Sequence, residues 1–139
     1  MHVVLIDLHP HSDPVTPISL ANLAAVLRRQ GHDTDLLSLR SGRPCSPAAL
    51  RRYLQQKRPR LVGFTAYQRN FFQIRAIARM AREASPECRI LIGGPQANFM
   101  PEEALEELTE FDFVCRGEGE IVIAAVADAI DGGSIDTAV

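Results

Sequence analysis

Lysine occurs once in the 139 residues, as Lys57, and cysteine is confined to Cys45, Cys88 and Cys115. No apolar run approaches the roughly 18 residues of a membrane-spanning helix. The cysteines form neither C-x-x-C nor C-x-x-x-C-x-x-C, so no cluster or zinc motif is encoded here, and a reduced, cytoplasmic protein is expected. Met1 to Leu8 is too short, and at Asp7 too acidic, for a signal peptide. A net charge of −2 gives no field that would gather nucleic acid, and neither nucleic acid nor membrane is an expected partner. Arginines pair at Arg28 and Arg29, Arg51 and Arg52, and Arg58 and Arg60, near the ends of predicted helices, where a cation complements the helix dipole. There is no solenoid repeat or low-complexity tract, and 46% hydrophobic against 23% charged residues is ordinary for one globular domain.

The chain does contain five short apolar runs: Val3 to Ile6, Asp35 to Leu39, Leu61 to Phe64, Arg89 to Ile92 and Phe113 to Cys115. Segments of helical period separate them, the pattern of a parallel sheet covered on both faces. The strand signal is faintest at Asp35 to Leu39. The first helix is predicted from Pro17 to Gln30 and ends at Gly31; the second follows Ser46 as N-cap with Pro47 next, and exits at Pro59. Asn70 is the expected cap of the third, which Ser85 and Pro86 stop. Pro101, Glu102 and Glu103 open a fourth, and a fifth runs from Glu118 to Ile130. Right-handed crossovers then give an α/β, doubly wound, five-stranded parallel sheet of flavodoxin-like (Rossmann-like) order 2-1-3-4-5.

Ligands of such sheets sit outside the carboxyl ends of the strands. The first loop, Asp7 to Pro17, exceeds a minimal βα turn and carries His9, His11, Asp13 and Thr16. After the third strand come Thr65, Tyr67, Gln68, Arg69 and Asn70. After the fourth stand Gly93, Gly94, Pro95, Gln96 and Ala97, and after the fifth Arg116, Gly117, Glu118, Gly119 and Glu120. Paired glycines let a ligand approach backbone, and helix N-termini offer free N–H groups. Neither loop is a G-x-G-x-x-G phosphate cradle. Cys115, ending a buried strand, is expected to be a small hydrophobe.

Taken in order, P-I-S-L-A-N-L-A-A-V-L-R-R-Q-G-H-D at Pro17 to Asp33, L-V-G-F-T at Leu61 to Thr65, G-G-P-Q-A at Gly93 to Ala97 and D-F-V-C-R-G-E-G-E at Asp112 to Glu120 form one set. They resemble the cobalamin-binding (vitamin B12) domain of cobalamin-dependent radical S-adenosylmethionine enzymes, over nearly the whole chain. The resemblance implies cobalamin as cofactor. It also implies a parent methyltransferase, or a ring-forming enzyme, whose downstream barrel holds a 4Fe–4S cluster and S-adenosylmethionine. That cluster motif is absent, so residues 1–133 are expected to be the cobalamin domain, 134–139 the start of a linker, and the chain alone to be catalytically silent. The implied cofactor contacts are Asp13, Thr16, Thr65, Tyr67, Gln68, Arg69, Gly93, Gly94, Gln96, Ala97, Gly117, Glu118, Gly119 and Glu120. Valine at Gly94 or Gly117 is expected to block the cofactor and leave the fold, provided neither glycine has a positive φ.

Two readings of the lower cobalt face stand. Asp7-Leu8-His9-Pro10-His11-Ser12 copies the Asp and His of the Asp-x-His-x-x-Gly motif of His-ligated cobalamin proteins but has Ser12 where glycine belongs. Alternatively Arg69, which has no lone pair to donate, faces the cobalt and leaves it without a protein ligand. A receiver-like regulatory domain of the same topology expects an Asp after the third strand, where Phe64-Thr65-Ala66 stands, and a late lysine. A nucleotide-binding domain expects a glycine-rich phosphate loop after the first strand, which is missing.

Overall fold

A computed structural model describes residues 1–9, 17–40 and 46–134. Five strands form one sheet: β1 (His2–His9), β2 (Asp33–Arg40), β3 (Leu61–Thr65), β4 (Arg89–Gly93) and β5 (Phe113–Val114), in the order β2-β1-β3-β4-β5. Every pairing is parallel, with Leu5 beside Gly63, Gly63 beside Leu91 and Leu91 beside Phe113. The apolar runs of β1, β3 and β4 are central and buried because helices cover both faces. The run at 35–39, the faintest of the five, is nonetheless a full strand, paired with β1 along eight residues from Asp33 to Arg40. As the edge strand it meets solvent, so its sequence carries little apolar signal.

On one face, Val3, Leu5, Leu61 and Leu91 pack beneath α1 (Ile18–Arg29) and α6 (Gly119–Gly132). On the other, Val4, Ile6, Val62, Phe64, Ile90 and Ile92 pack beneath α2 (Pro47–Lys57) and α3 (Phe71–Ala84). Each large aliphatic side chain so buried contributes about 1.5–3 kcal/mol. Ser46 caps α2 as expected, its hydroxyl accepting from the Ala49 N–H at 3.1 Å. Two short helices, α4 (Pro95–Phe99) and α5 (Glu102–Glu106), separate β4 from β5. Five residues are too few for a periodic signature, so only the proline and acidic start of α5 was legible, and α4 was not foreseen.

Among the paired arginines, Arg28 donates to the Thr34 carbonyl at 2.6 Å and Arg60 to that of Ile130 at 2.7 Å. They tie helix to strand and loop to α6 rather than only complementing a dipole. No helix among the described residues is long and apolar enough to cross a membrane.

Candidate functional site

Side chains in register on a parallel sheet point to the same face, so Leu5, Gly63, Leu91, Gly93 and Cys115 share the face beneath α1 and α6. Where the first and last helices part toward the carboxyl edge, these residues floor a trough of about 320 Å³. Leu20 and Leu23 of α1 form one wall, Gly119 and Ile123 of α6 the other. The missing side chains make the space. A Cβ on Gly63 would stand 2.8 Å from Leu5 Cδ2, one on Gly93 3.3 Å from Cys115 Cβ, and one on Gly119 3.3 Å from Leu23 Cδ2. Polar groups stand along the lining: Ser19, Thr65, Tyr67, Asn98 and Glu120.

At the mouth, Asn98 Oδ1 accepts from the Gly117 N–H at 3.1 Å, and Arg116 donates to the Met100 carbonyl, tying α4 to the loop before α6. The other side is the turn after β3. Ala66 donates to the Gly93 carbonyl at 2.8 Å and accepts from the Gln96 N–H at 3.1 Å. Gly94 permits this approach: its φ is +96°, and a Cβ there would meet Ala66 O at 2.9 Å. Gly117 has φ +82°. Both glycines thus satisfy backbone demands; the condition attached to the valine test is not met, and valine at either position is expected to strain the fold.

Of the residues singled out in the sequence, the structure brings Thr65, Tyr67, Gly93, Gly94, Gly117, Gly119 and Glu120 together around the trough. Gln68 and Arg69 are exposed on the turn after β3, Gln96 is half-buried on α4, and Glu118 is exposed ahead of α6; none of these four lines the trough. Ala97 is buried in the core instead. Asp13 and Thr16, with His11 and Ser12, lie outside the described residues. Sequence reasoning passed over Gly63, although a glycine inside an apolar strand is itself a mark of close approach. It also passed over the α1 wall, whose Leu20 and Leu23 read simply as an apolar stripe.

Burial pushes the Cys115 thiol up, and nearby Glu120 adds to the effect, so it stays protonated and apolar in the trough. Asp7, buried at the end of β1, is raised by burial, while its ion pair with His9 Nε2 opposes the shift. Asn70 departs from its expected role: its side chain makes no cap for α3. It accepts instead from the Tyr67 N–H at 2.8 Å and donates to the Leu8 and Thr65 carbonyls at 3.0 and 3.3 Å. Among the described residues, the large exposed apolar side chains, Ile18, Tyr67, Phe72, Phe99 and Ile121, lie on helices or loops at the carboxyl side of the sheet. Among the described residues no His, Cys, Asp or Glu group is arranged to hold a metal ion.

A glycine-paved trough below an apolar rim suits a long, flexible appendage hung from a large, mostly apolar ring, which is the shape of cobalamin. The sequence is 36% identical over 106 residues to a hopanoid C-3 methylase of Methylococcus capsulatus, covering 75% of this chain and 20% of that protein. It is 30% identical over 118 residues to an uncharacterized methyltransferase of Pyrococcus horikoshii, covering 84% and 25%. The chain therefore spans a quarter or less of the length of these relatives. Its fold is that of the radical S-adenosylmethionine methyltransferase TsrM from Kitasatospora setae, solved with cobalamin and a 4Fe–4S cluster bound. That match has a TM-score of 0.77 at 23% identity, over 96% of this chain and 25% of that one. The family described as the B12 binding domain matches residues 8–127, and to that family the chain belongs.

Proposed function

We propose that this chain is the cobalamin-binding module of a larger radical S-adenosylmethionine enzyme, a methyltransferase, and that the trough between α1 and α6 receives the nucleotide tail. The single observation that carries this is the Cβ-free floor at Gly63 and Gly93 facing Gly119. A volume of about 320 Å³ is far too small for a corrin ring and fits a slender appendage. Leu5, Leu20, Leu23, Leu91 and Ile123 exclude water from it, while Ser19, Thr65 and Glu120 offer hydroxyl and carboxylate partners to a ribose and phosphate linker. The ring rests across the carboxyl edge, where the exposed Tyr67, Phe72 and Phe99 form an apolar rim that a second domain also covers. Gln68, Arg69, Gln96 and Glu118 are proposed as contacts of this edge rather than of the trough, and Asp13 and Thr16, outside the described residues, remain proposed cofactor contacts.

Bound cobalamin would supply a cobalt centre able to carry a methyl group. The trough and the carboxyl edge of the sheet would orient the cofactor. Arg69, on the turn after β3, has no lone pair to donate to a metal; His9, at the end of β1, is paired through Nε2 with Asp7. The cluster and S-adenosylmethionine belong to the proposed remainder of the enzyme, with residues 134–139 leading toward it. A reduced, cytoplasmic setting accords with the free thiols of Cys88 and Cys115, and no nucleic-acid role is proposed at net charge −2.

Mixing the chain with hydroxocobalamin and removing free cofactor by gel filtration tests the reading. Corrin absorbance should travel with the protein, and cobinamide, which lacks the nucleotide tail, should be held at least about ten-fold more weakly, a difference of about 1.4 kcal/mol. Absence of corrin from the protein fraction, or equal retention of cobinamide, would contradict it.

A further inference from the structure

Asn70 is 1% exposed and stands at the last residue of the turn joining β3 to α3, directly before the first helical position. Its surroundings require an amide. One backbone N–H, of Tyr67, points at Oδ1, and two carbonyls, of Leu8 and Thr65, face Nδ2. A carboxylate would repel both carbonyls, and a hydroxyl is too short to span from the turn to β1. The place of these carbonyls matters as well. The pairing of β1 with β3 ends at Ile6 and Phe64, so Leu8 lies past the last paired residue of that ladder. The Asn70 amide supplies a donor there and carries the connection between the two strands one step beyond the sheet, at its topological switch point.

From this placement we infer that Asn70 is a positioning residue of the cobalamin site. By locking the turn 66–70 to the end of β1, it fixes where Tyr67, Gln68 and Arg69 stand beneath the ring. The inference rests on the proposed cobalamin site. It differs from a helix-capping role, because Asn70 gives α3 no side-chain cap. The turn is held on its other side by Ala66, bonded to Gly93 and Gln96, so losing the Asn70 amide would release one flank of the turn and leave the trough floor in place.

Two variants of the 139-residue chain test it. Asn70→Ser keeps an oxygen near the Tyr67 N–H and removes the NH2 group that reaches the Leu8 carbonyl; Asn70→Asp keeps the acceptor and sets charge against both carbonyls. The probes are thermal melting, retention of hydroxocobalamin on gel filtration, and electron paramagnetic resonance of the bound cofactor after reduction to Co(II). The parent should give one species without nitrogen splitting. The expectation for a variant that melts cooperatively is retention within about ten-fold of the parent, with the Co(II) signal broadened or split into two species. Loss of retention from a variant that still melts like the parent supports the same conclusion, since the glycine floor of the trough is unaltered and only the turn that Asn70 holds has changed. A Co(II) spectrum superimposable on the parent's overturns the inference, and so does failure of both variants to fold, which would make Asn70 purely architectural. If the parent retains no cobalamin, the underlying functional reading fails, a result distinct from all of these.

Discussion

Gly63, in the middle of β3, and Gly94, just past the end of β4, both line the trough and answer to different demands. Gly63 sits in ordinary strand conformation, and the atom its absent Cβ would meet is the tip of Leu5, a side chain that borders empty trough space and can turn into it. Valine suits a strand, so Gly63→Val should fold and fill the trough, weakening hydroxocobalamin retention at least about ten-fold with the melting temperature little changed. Gly94→Val meets the rigid Ala66 backbone at a φ of +96°, and should lose about 1–3 kcal/mol of stability, read as a lower denaturation midpoint. Asp7 provides a third residue-level expectation. Its carboxyl is raised above the unfolded value of about 3.9, so it contributes most stability below that pH and loses it as pH rises through the folded value. Asp7→Asn should flatten this decline, seen in urea melts between about pH 4 and pH 7.

At the scale of elements, the chain after α5 is held to α3 by charge. Glu110 is buried between Arg75 and Arg79, and Asp112 lies between Arg82, at 2.5 Å, and Arg89, at 3.1 Å. Burial would push Glu110 up, but hydrogen bonds from the two arginines outweigh it and hold the carboxyl below its ordinary value. The sign is opposite to that of Asp7: this stability is present above the unfolded value of about 4.3 and disappears as pH falls through the folded one. Glu110→Gln should cost about 1–3 kcal/mol at neutral pH and much less in acid. Elements also show what the sequence could express. The central strands and the long helices α1, α3 and α6 announce themselves by apolar runs and period. The edge strand β2 is muted by Asp33, Asp35 and Ser38, which meet solvent, and α4 is shorter than two turns. Asn70 was legible as a cap residue, but its bond to Leu8 joins positions 62 residues apart, which no local pattern encodes.

For the whole molecule, alternation and handedness give a doubly wound parallel sheet, of which the order 2-1-3-4-5 is one of the two common forms, and in either form the carboxyl edge is the ligand side. The loops carried half of the site. The other half is the gap between α1 and α6, two helices distant in sequence, and depth arises there because Gly63 and Gly93 share one face of the adjacent strands β3 and β4, two residues apart in register. A second groove, between α2 and α3 and lined by Leu50, Ile77 and Met80, lies on the opposite face and provides an internal control. Backbone amide shifts mapped by ¹⁵N–¹H NMR during titration with diamagnetic hydroxocobalamin test the central claim most directly. Shifts are expected at Gly63, Gly93, Gly117, Gly119 and Glu120, with little change at Leu50, Ile77 and Met80. Shifts confined to the α2–α3 groove, with the glycine amides unmoved, would contradict that claim.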